Sequence, residues 1–294
     1  MRGQAAVNTK ILKKFSFMYI VPAMAFLTMF LIAPLIYTLY CSFFNLDYLV
    51  KGDFVGLKNY ATLLTDKRVI SAFRFTFVIT IISTACSVVI GLALALWIDR
   101  KHGPFAYAIE MFGLIPWVIS MVVAALLWRW LFNGDLGLFN MILKGLGHDP
   151  IYVVQNKDSA RIALVFVLVW RLVGYAMVMI LAGLKSLDQS LVEAAKVDGA
   201  NGWQMLWYIK LPLIKTSVLL STIVLTVSNF TNNTVPLVLT SGGPNDATNV
   251  ITLMQYNLGF RYYHFGTSSA LSVLIMIVVS LIILAYIKVS DYKI

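Results

Sequence analysis

The stretch Glu193–Pro212, EAAKVDGANGWQMLWYIKLP, is a polar, charged island between two long apolar runs. Ser186 or Asp188 can cap a helix leading into it, and Gln189 stands three residues after Ser186, the spacing of a capping box. Leu191, Ala194, Ala195 and Val197 offer an apolar flank, while Glu193, Lys196 and Asp198 stay polar. Gly199 can adopt the left-handed conformation that ends a helix without a Cβ clash. Trp203, Leu206, Trp207 and Ile209 resume an apolar stripe, and Pro212 closes the second piece near re-entry to the membrane. The pattern predicts a helix–turn–helix over 186–212 that lies along a membrane surface. Small Ala194, Ala195 and Gly199 let another backbone approach closely. From these residues alone, a solvated amphipathic loop and a docking surface for a cytoplasmic partner both stay open.

Outward from the island the chain is apolar. Of its 294 residues, 60% are hydrophobic and 12% charged, with a mean hydropathy of +0.83. Soluble domains carry about a quarter charged residues, so this composition implies an integral membrane protein in contact with the lipid bilayer. The net charge of +10 is spread along the chain and not gathered into a stripe, which argues against nucleic acid and for charge at a membrane surface. Cys41 and Cys86 both lie in apolar runs and form neither a disulfide framework nor a metal-ligand spacing. The amino-terminal segment turns from basic to apolar as a signal peptide does. Its apolar run from about 15 to 44 has no small-residue cleavage site, so a retained span is expected.

Six segments are long enough to cross a bilayer: about 16–43, 72–98, 106–132, 160–184, 216–239 and 267–288. In lipid each must satisfy its backbone internally, so each is expected to be a helix. Pro22, Pro34 and Pro116 fall inside spans and predict kinks or early-turn positions. The expected fold class is an all-α integral membrane protein, one transmembrane domain over 1–294 with a helix–turn–helix between the fourth and fifth spans.

Orientation follows from the loop cations. Arg2, Lys10, Lys13, Lys14, Arg100, Lys101, Lys185, Lys196, Lys210, Lys215, Lys288 and Lys293 fall on one side, which puts both termini and the island in the cytoplasm. On the other side Lys51, Lys58, Lys67, Arg68, Lys144, Lys157 and Arg261 are mixed with acids. There GDLGLFNMILKGLGHDP (134–150) spaces Leu138, Met141, Ile142 and Leu146 as one face of an interfacial amphipathic helix.

Catalytic chemistry is not spelled anywhere in the chain. His102, His148 and His264 lie in separate loops, and HExxH, GxSxG and GxxxxGK[ST] do not occur. No catalytic or metal-binding residue is therefore expected. Active transport through this chain needs energy from another polypeptide or from an ion gradient. Arg171 falls about 15 Å beyond Arg161 along the fourth span, where it serves either a polar translocation path or a hydrogen bond to neighbouring backbone. Glu110, roughly 6 Å into its span, reads as an interfacial carboxylate. Deep acids of the kind a proton-coupled carrier uses are not seen.

Glu193-Ala194-Ala195, three residues, Gly199, nine residues, then Ile209-Lys210-Leu211-Pro212 resembles the EAA loop of permease subunits of ABC importers at every fixed position. The form Asp198-Gly199-Ala200 is similar to the carbohydrate-uptake branch with maltose-type and glycerol-phosphate-type permeases. FVGLKNY (54–60), LIPW (114–117), WRWLFNGDLGLFN (128–140), AGL-x-S-L (182–187) and TSGGP (240–244) resemble further landmarks of that family in order. The resemblance implies that 186–212 is a coupling segment inserted into a cleft of a separate ATPase. Glu193 would supply a polar contact, Ala194 and Ala195 the tight packing, Gly199 the turn, and Asp198 and Pro212 the rest of the motif. It further implies two cytoplasmic ATPase subunits that use ATP and Mg, an extracytoplasmic solute-binding protein, and a second, homologous permease. The chain itself would hold no cofactor and sit in a bacterial or archaeal plasma membrane, passing a sugar, oligosaccharide or polyol. The competing reading is an ion-coupled secondary transporter that works without an ATPase.

Within the fifth span, SNFTNNTVP (228–236) is a polar run. Asn229, Thr231, Asn232, Asn233 and Thr234 offer amides and hydroxyls suited to sugar hydroxyls, or to hydrogen bonds between helices. Tyr256, Phe260, Tyr262 and Tyr263 fit an interfacial aromatic belt or stacking on sugars.

Overall fold

A computed structural model describes residues 20–48, 50–101 and 103–289. The basic residues Arg2, Lys10, Lys13, Lys14 and Lys293, and His102, lie outside them. The described residues form two compact units, one from 20–64 together with 258–274, the other from 65–257 together with 275–289.

In the first unit, α1 (Ile20–Cys41) is long and apolar enough to cross a membrane. Pro34 lacks the N–H that would bond Phe30, and its ring crowds that carbonyl. The helix answers with a π-turn over Thr28–Ile32. Beyond α1 the sequence expectation of an all-helical chain fails locally: β1 (Phe44–Asp47) and β2 (Val50–Phe54) form an antiparallel hairpin with a register irregularity between Phe44 and Leu46. Alternating Phe44, Leu46, Val50 and Phe54 suit a strand, but the run is too short to stand out beside an apolar span. Asn59 of α2 (Lys58–Thr65) secures the hairpin by donating from Nδ2 to the carbonyls of Ser42 at 2.9 Å and Phe44 at 3.0 Å. Tyr60 OH lies 2.6 Å from Ser42 Oγ, which gives FVGLKNY a structural meaning. Asp47 bridges to His264, whose Nδ1 lies 2.6 Å from Asp47 Oδ1, and Tyr48 stacks on Tyr263 at 5.4 Å.

The second unit is built around α7 (Lys157–Lys185), which packs on α3 (Lys67–Arg100), α4 (Pro104–Val118) and α10 (Lys215–Phe230). Asp66 and Asn156 cap α3 and α7, accepting from the N–H groups of Arg68 and Asp158. One side of α7 feeds a core of Leu164, Val167 and Leu168 with Trp128 and Leu239. Further along, Met177, Ile180, Leu181 and Leu184 pack with Ile98 and Ile214.

Close approach at Gly174 is what lets α4 lie against α7, because a Cβ there would overlap the Gly113 carbonyl. Gly174→Val is therefore expected to destabilise the protein by about 1–3 kcal/mol or more. The measurement is the thermal midpoint of the detergent-extracted chain, and an unchanged midpoint would contradict this packing.

Among the described residues, four helices are long and apolar enough to cross a membrane: α1, α3, α7 and α12 (Phe265–Val289). Two bent pairs, α4 with α5 (Met121–Leu131) and α9 (Gly202–Leu213) with α10, raise this to six if each is one span. The expected third span, 106–132, is thus not one straight helix. It bends by 98° at Ile119–Ser120, where both residues are extended just past Pro116. The expected fifth span, 216–239, is also broken. α10 stops at Phe230 and α11 (Thr234–Leu239) begins after Asn233, because Pro236 cannot donate to Asn232 and its ring excludes a continuous helix. The interfacial helix appears as α6 (Leu138–Gly145), with Leu138, Met141, Ile142 and Leu146 exposed as an apolar face.

Candidate functional site: a self-capped polar segment and a polar path

Between α7 and α10 the chain forms α8 (Gln189–Val197), a turn, and α9. Asp188 supplies the N-cap, accepting from the Ser190 N–H at 2.9 Å. Ser186 instead ends α7, its Oγ donating to the Gly183 carbonyl at 2.8 Å, so the box expected from Ser186 and Gln189 does not form. A capping box exists one helix later: Asn201 Oδ1 accepts from Trp203 and Gln204 N–H, and Gln204 Oε1 accepts from Asn201 N–H. Its Asn-x-x-Gln spacing stood in the sequence unread.

The same N–H of Ser190 holds the Asp188 carboxyl below the usual carboxylate range. A lowered native value means that the cap is at full strength above the ordinary carboxylate pKa of about 3.9 and fades as pH falls through the native value. Asp188→Asn should keep the cap at every pH, whereas Asp188→Ala should speed amide exchange over 189–193 already at neutral pH.

α8 ends as the sequence anticipates. Gly199 has φ +82°, its N–H donates to the Lys196 carbonyl at 3.1 Å, and the Ala200 N–H donates to the Ala195 carbonyl at 3.0 Å. These two bonds are the Schellman pattern, which needs a left-handed residue at that point. The inward face differs from expectation. Val192 and Ala195 are buried against Met205, with Ala200 and Ile209 beside them, while Leu191 and Val197 face out. The helical phase puts Ala195 inside, so of the EAA residues only Glu193 and Ala194 lie on the exposed edge, next to Asp198 and Gly199. Along the apolar stripe Trp203 and Trp207 are exposed, their rings 5.4 Å apart, Leu206 and Ile209 are half-buried, and Met205 makes the buried contact. A π-turn over Met205–Lys210 shifts this phase. Pro212 lies in the last turn of α9, one residue before its end at Leu213, and α9 meets α10 at Ile214 with a 69° bend.

Two ion pairs brace the segment's surroundings. Lys210 Nζ lies 2.5 Å from Asp99 Oδ2 at the end of α3, both side chains largely buried at 14% and 17% exposure. Lys185 Nζ approaches Glu110 Oε2 of α4 at 3.8 Å, a partner the sequence did not suggest for this carboxylate. Both pairs border a cavity of about 710 Å³ that Arg100, Lys101 and Lys196 also line. Asp99 escaped the sequence reading because it looked like one more charge at a span end.

The polar run of the fifth span divides by partner. Asn229 is buried and donates from Nδ2 to Thr84 Oγ1 at 3.1 Å. Asn232 caps α11 by accepting from the Val235 N–H at 3.1 Å, and its carbonyl accepts from Thr252 Oγ1. Thr231 is exposed with its hydroxyl on the Val227 carbonyl, and Asn233 and Thr234 are half-buried and bonded to each other. Arg171 is half-buried, and its Nε has no hydrogen-bond partner among the described residues. The structure adds a column missed in the sequence: Thr76, Thr80, Ser83, Thr84 and Ser87, all buried on α3. Their spacing of three and four residues within an apolar span was the available signal.

The fold has a counterpart among solved structures. It matches a chain of the "bacterial alginate ABC transporter in complex with alginate pentasaccharide-bound periplasmic protein" with a TM-score of 0.83, at 22% identity over 96% of each chain. Residues 5–294 match the family described as binding-protein-dependent transport system inner membrane component, and the chain belongs to that family. Among its relatives, the osmoprotective compounds uptake permease protein GgtC of Synechocystis sp. is 31% identical, covering 89% of this chain and 94% of its own. The trehalose/maltose transport system permease protein MalF of Thermococcus litoralis is 30% identical, with 95% of each chain covered.

Proposed function

We propose that this chain is one permease subunit of an ATP-driven importer for a sugar, oligosaccharide or related polyol. The observation that carries the proposal is the segment 186–212, where the complete EAA-to-Leu-Pro spacing coincides with an exposed edge of Glu193, Ala194, Asp198 and Gly199 on a self-capped two-helix body. In this reading two cytoplasmic ATPase subunits bind ATP and Mg and grip that edge, Glu193 making the polar contact. A homologous permease completes the path, and an extracytoplasmic binding protein delivers the solute. Both termini lie in the cytoplasm. Thr231, Asn233, Thr234 and Arg171 are the path residues best placed to meet hydroxyls, with Asn229 and Asn232 shaping the wall. The names of relatives that take up maltose, trehalose and osmoprotective compounds support the solute class.

The test is co-purification followed by reconstitution. An ATPase should stay bound through extraction, and Glu193→Ala should release it or abolish solute-stimulated hydrolysis. Solute uptake by the chain alone, in vesicles without an ATPase, would instead establish the ion-coupled carrier.

A further inference from the structure

A second cavity, of about 580 Å³, lies between the amino-terminal halves of α3 and α7. Its polar end is made by Ser71, Arg74 and Arg161. Arg74 stands seven residues into α3 and Arg161 four residues into α7, so the two guanidiniums enter at depths of about 10 and 6 Å from the helix starts. The remaining wall is apolar, and Val78, Ile82 and Ile162 are all exposed at its margin. In a membrane-embedded chain the groove therefore opens sideways to hydrocarbon.

Two arginines at such a margin call for an anion. Among the described residues neither takes part in an ion pair. Arg161 is already held in place: its Nε donates to the Ala247 carbonyl at 2.9 Å, and its guanidinium lies 5.2 Å from the Phe75 ring centre. The remaining N–H donors of a fixed guanidinium form a fork suited to a phosphate.

We propose that this groove binds one anionic phospholipid, its phosphate between Arg74 and Arg161 and an acyl chain along Val78, Ile82 and Ile162. Basic end, apolar trough and lateral opening match the three parts of such a lipid, and a water-soluble anion would use only the first.

Native mass spectrometry of the complex extracted from membranes should find an anionic phospholipid retained on this chain. Arg74→Gln with Arg161→Gln should weaken phosphatidylglycerol by about twenty-fivefold, from roughly fivefold per arginine. Phosphatidylglycerol nanodiscs should raise the thermal midpoint, while phosphatidylcholine nanodiscs and inorganic phosphate should not. Val78→Trp, which fills the trough and leaves both charges, should also reduce retention and keeps the test decisive if the double variant fails to fold. Equal stabilisation by phosphatidylcholine, or retention unchanged by both variants, would overturn the proposal. So would crosslinking of a second permease chain through Ser71→Cys.

Discussion

With Gly199 replaced by valine, solute uptake and solute-stimulated ATP hydrolysis should collapse while the spans still insert and the chain is still made. Gly199 sits at φ +82°, a conformation that costs an L-residue with a Cβ about 1–2 kcal/mol and a β-branched residue at least as much. An added Cβ would meet nothing within 4 Å, so no clash inside the chain confuses the result. The whole effect must come from backbone strain at the turn, or from what docks outside it. Relaxing the strain means breaking the bonds from Gly199 and Ala200 back to Lys196 and Ala195, which re-aims α9 relative to Glu193. Docking and hydrolysis should fall by roughly five- to thirtyfold on the strain alone. Gly199→Asn, which tolerates the left-handed region, should keep most activity. Full transport by the valine variant would remove the turn from the mechanism.

The second large effect is expected at Asp99 and Lys210. This pair ties α9 to the end of α3 across 111 residues of sequence, and little solvent reaches it. Breaking a fully buried pair costs about 3–5 kcal/mol because one charge is stranded; the residual exposure here lowers that figure. Asp99→Asn or Lys210→Met should leave basal ATP hydrolysis in place and cut uptake strongly, since the segment is still gripped but no longer attached firmly to α3. Exchanging the charges, Asp99→Lys with Lys210→Asp, should recover much of the loss. A coupling energy above about 0.5 kcal/mol in the double-mutant cycle marks the two as direct partners. If the exchange is no better than the single variants, the brace lies elsewhere.

These two sites differ in how visible they were beforehand. The turn was legible because a local rule governs it: a glycine at a helix end with polar residues around it leaves few conformations. The spans were legible for the same reason, as lipid forces a long apolar run to be a helix. What escaped were features set by a second, distant element. Ala195 and Val192 could not be told from Ala194 and Leu191 as the inward pair until Met205 was known to lie beneath them. Asp99 acquires meaning only from Lys210. The breaks in the third and fifth spans were half legible: Pro116 and Pro236 marked them, but whether a proline kinks or interrupts depends on neighbouring partners such as the side chain of Asn232. The hairpin after α1 depends on Asn59, which follows it in α2, and on His264, 217 residues from its partner Asp47.

The internal capping of residues 188–209 has a mechanical consequence. Both caps, the closing bonds of α8 and the small cluster of Val192, Ala195 and Met205 all come from within that stretch. A body held together by its own short-range bonds resists bending, so displacement applied to its exposed edge is not dissipated inside it. Such a displacement would be passed on at the two ends of the segment: Ser186–Leu187, where α7 has ended, and Ile214, where the axis turns by 69° into α10. In the proposed reading, a lever this stiff, seated on α7 and α10 at its two ends, would turn a push at its exposed edge into a change of tilt of both helices.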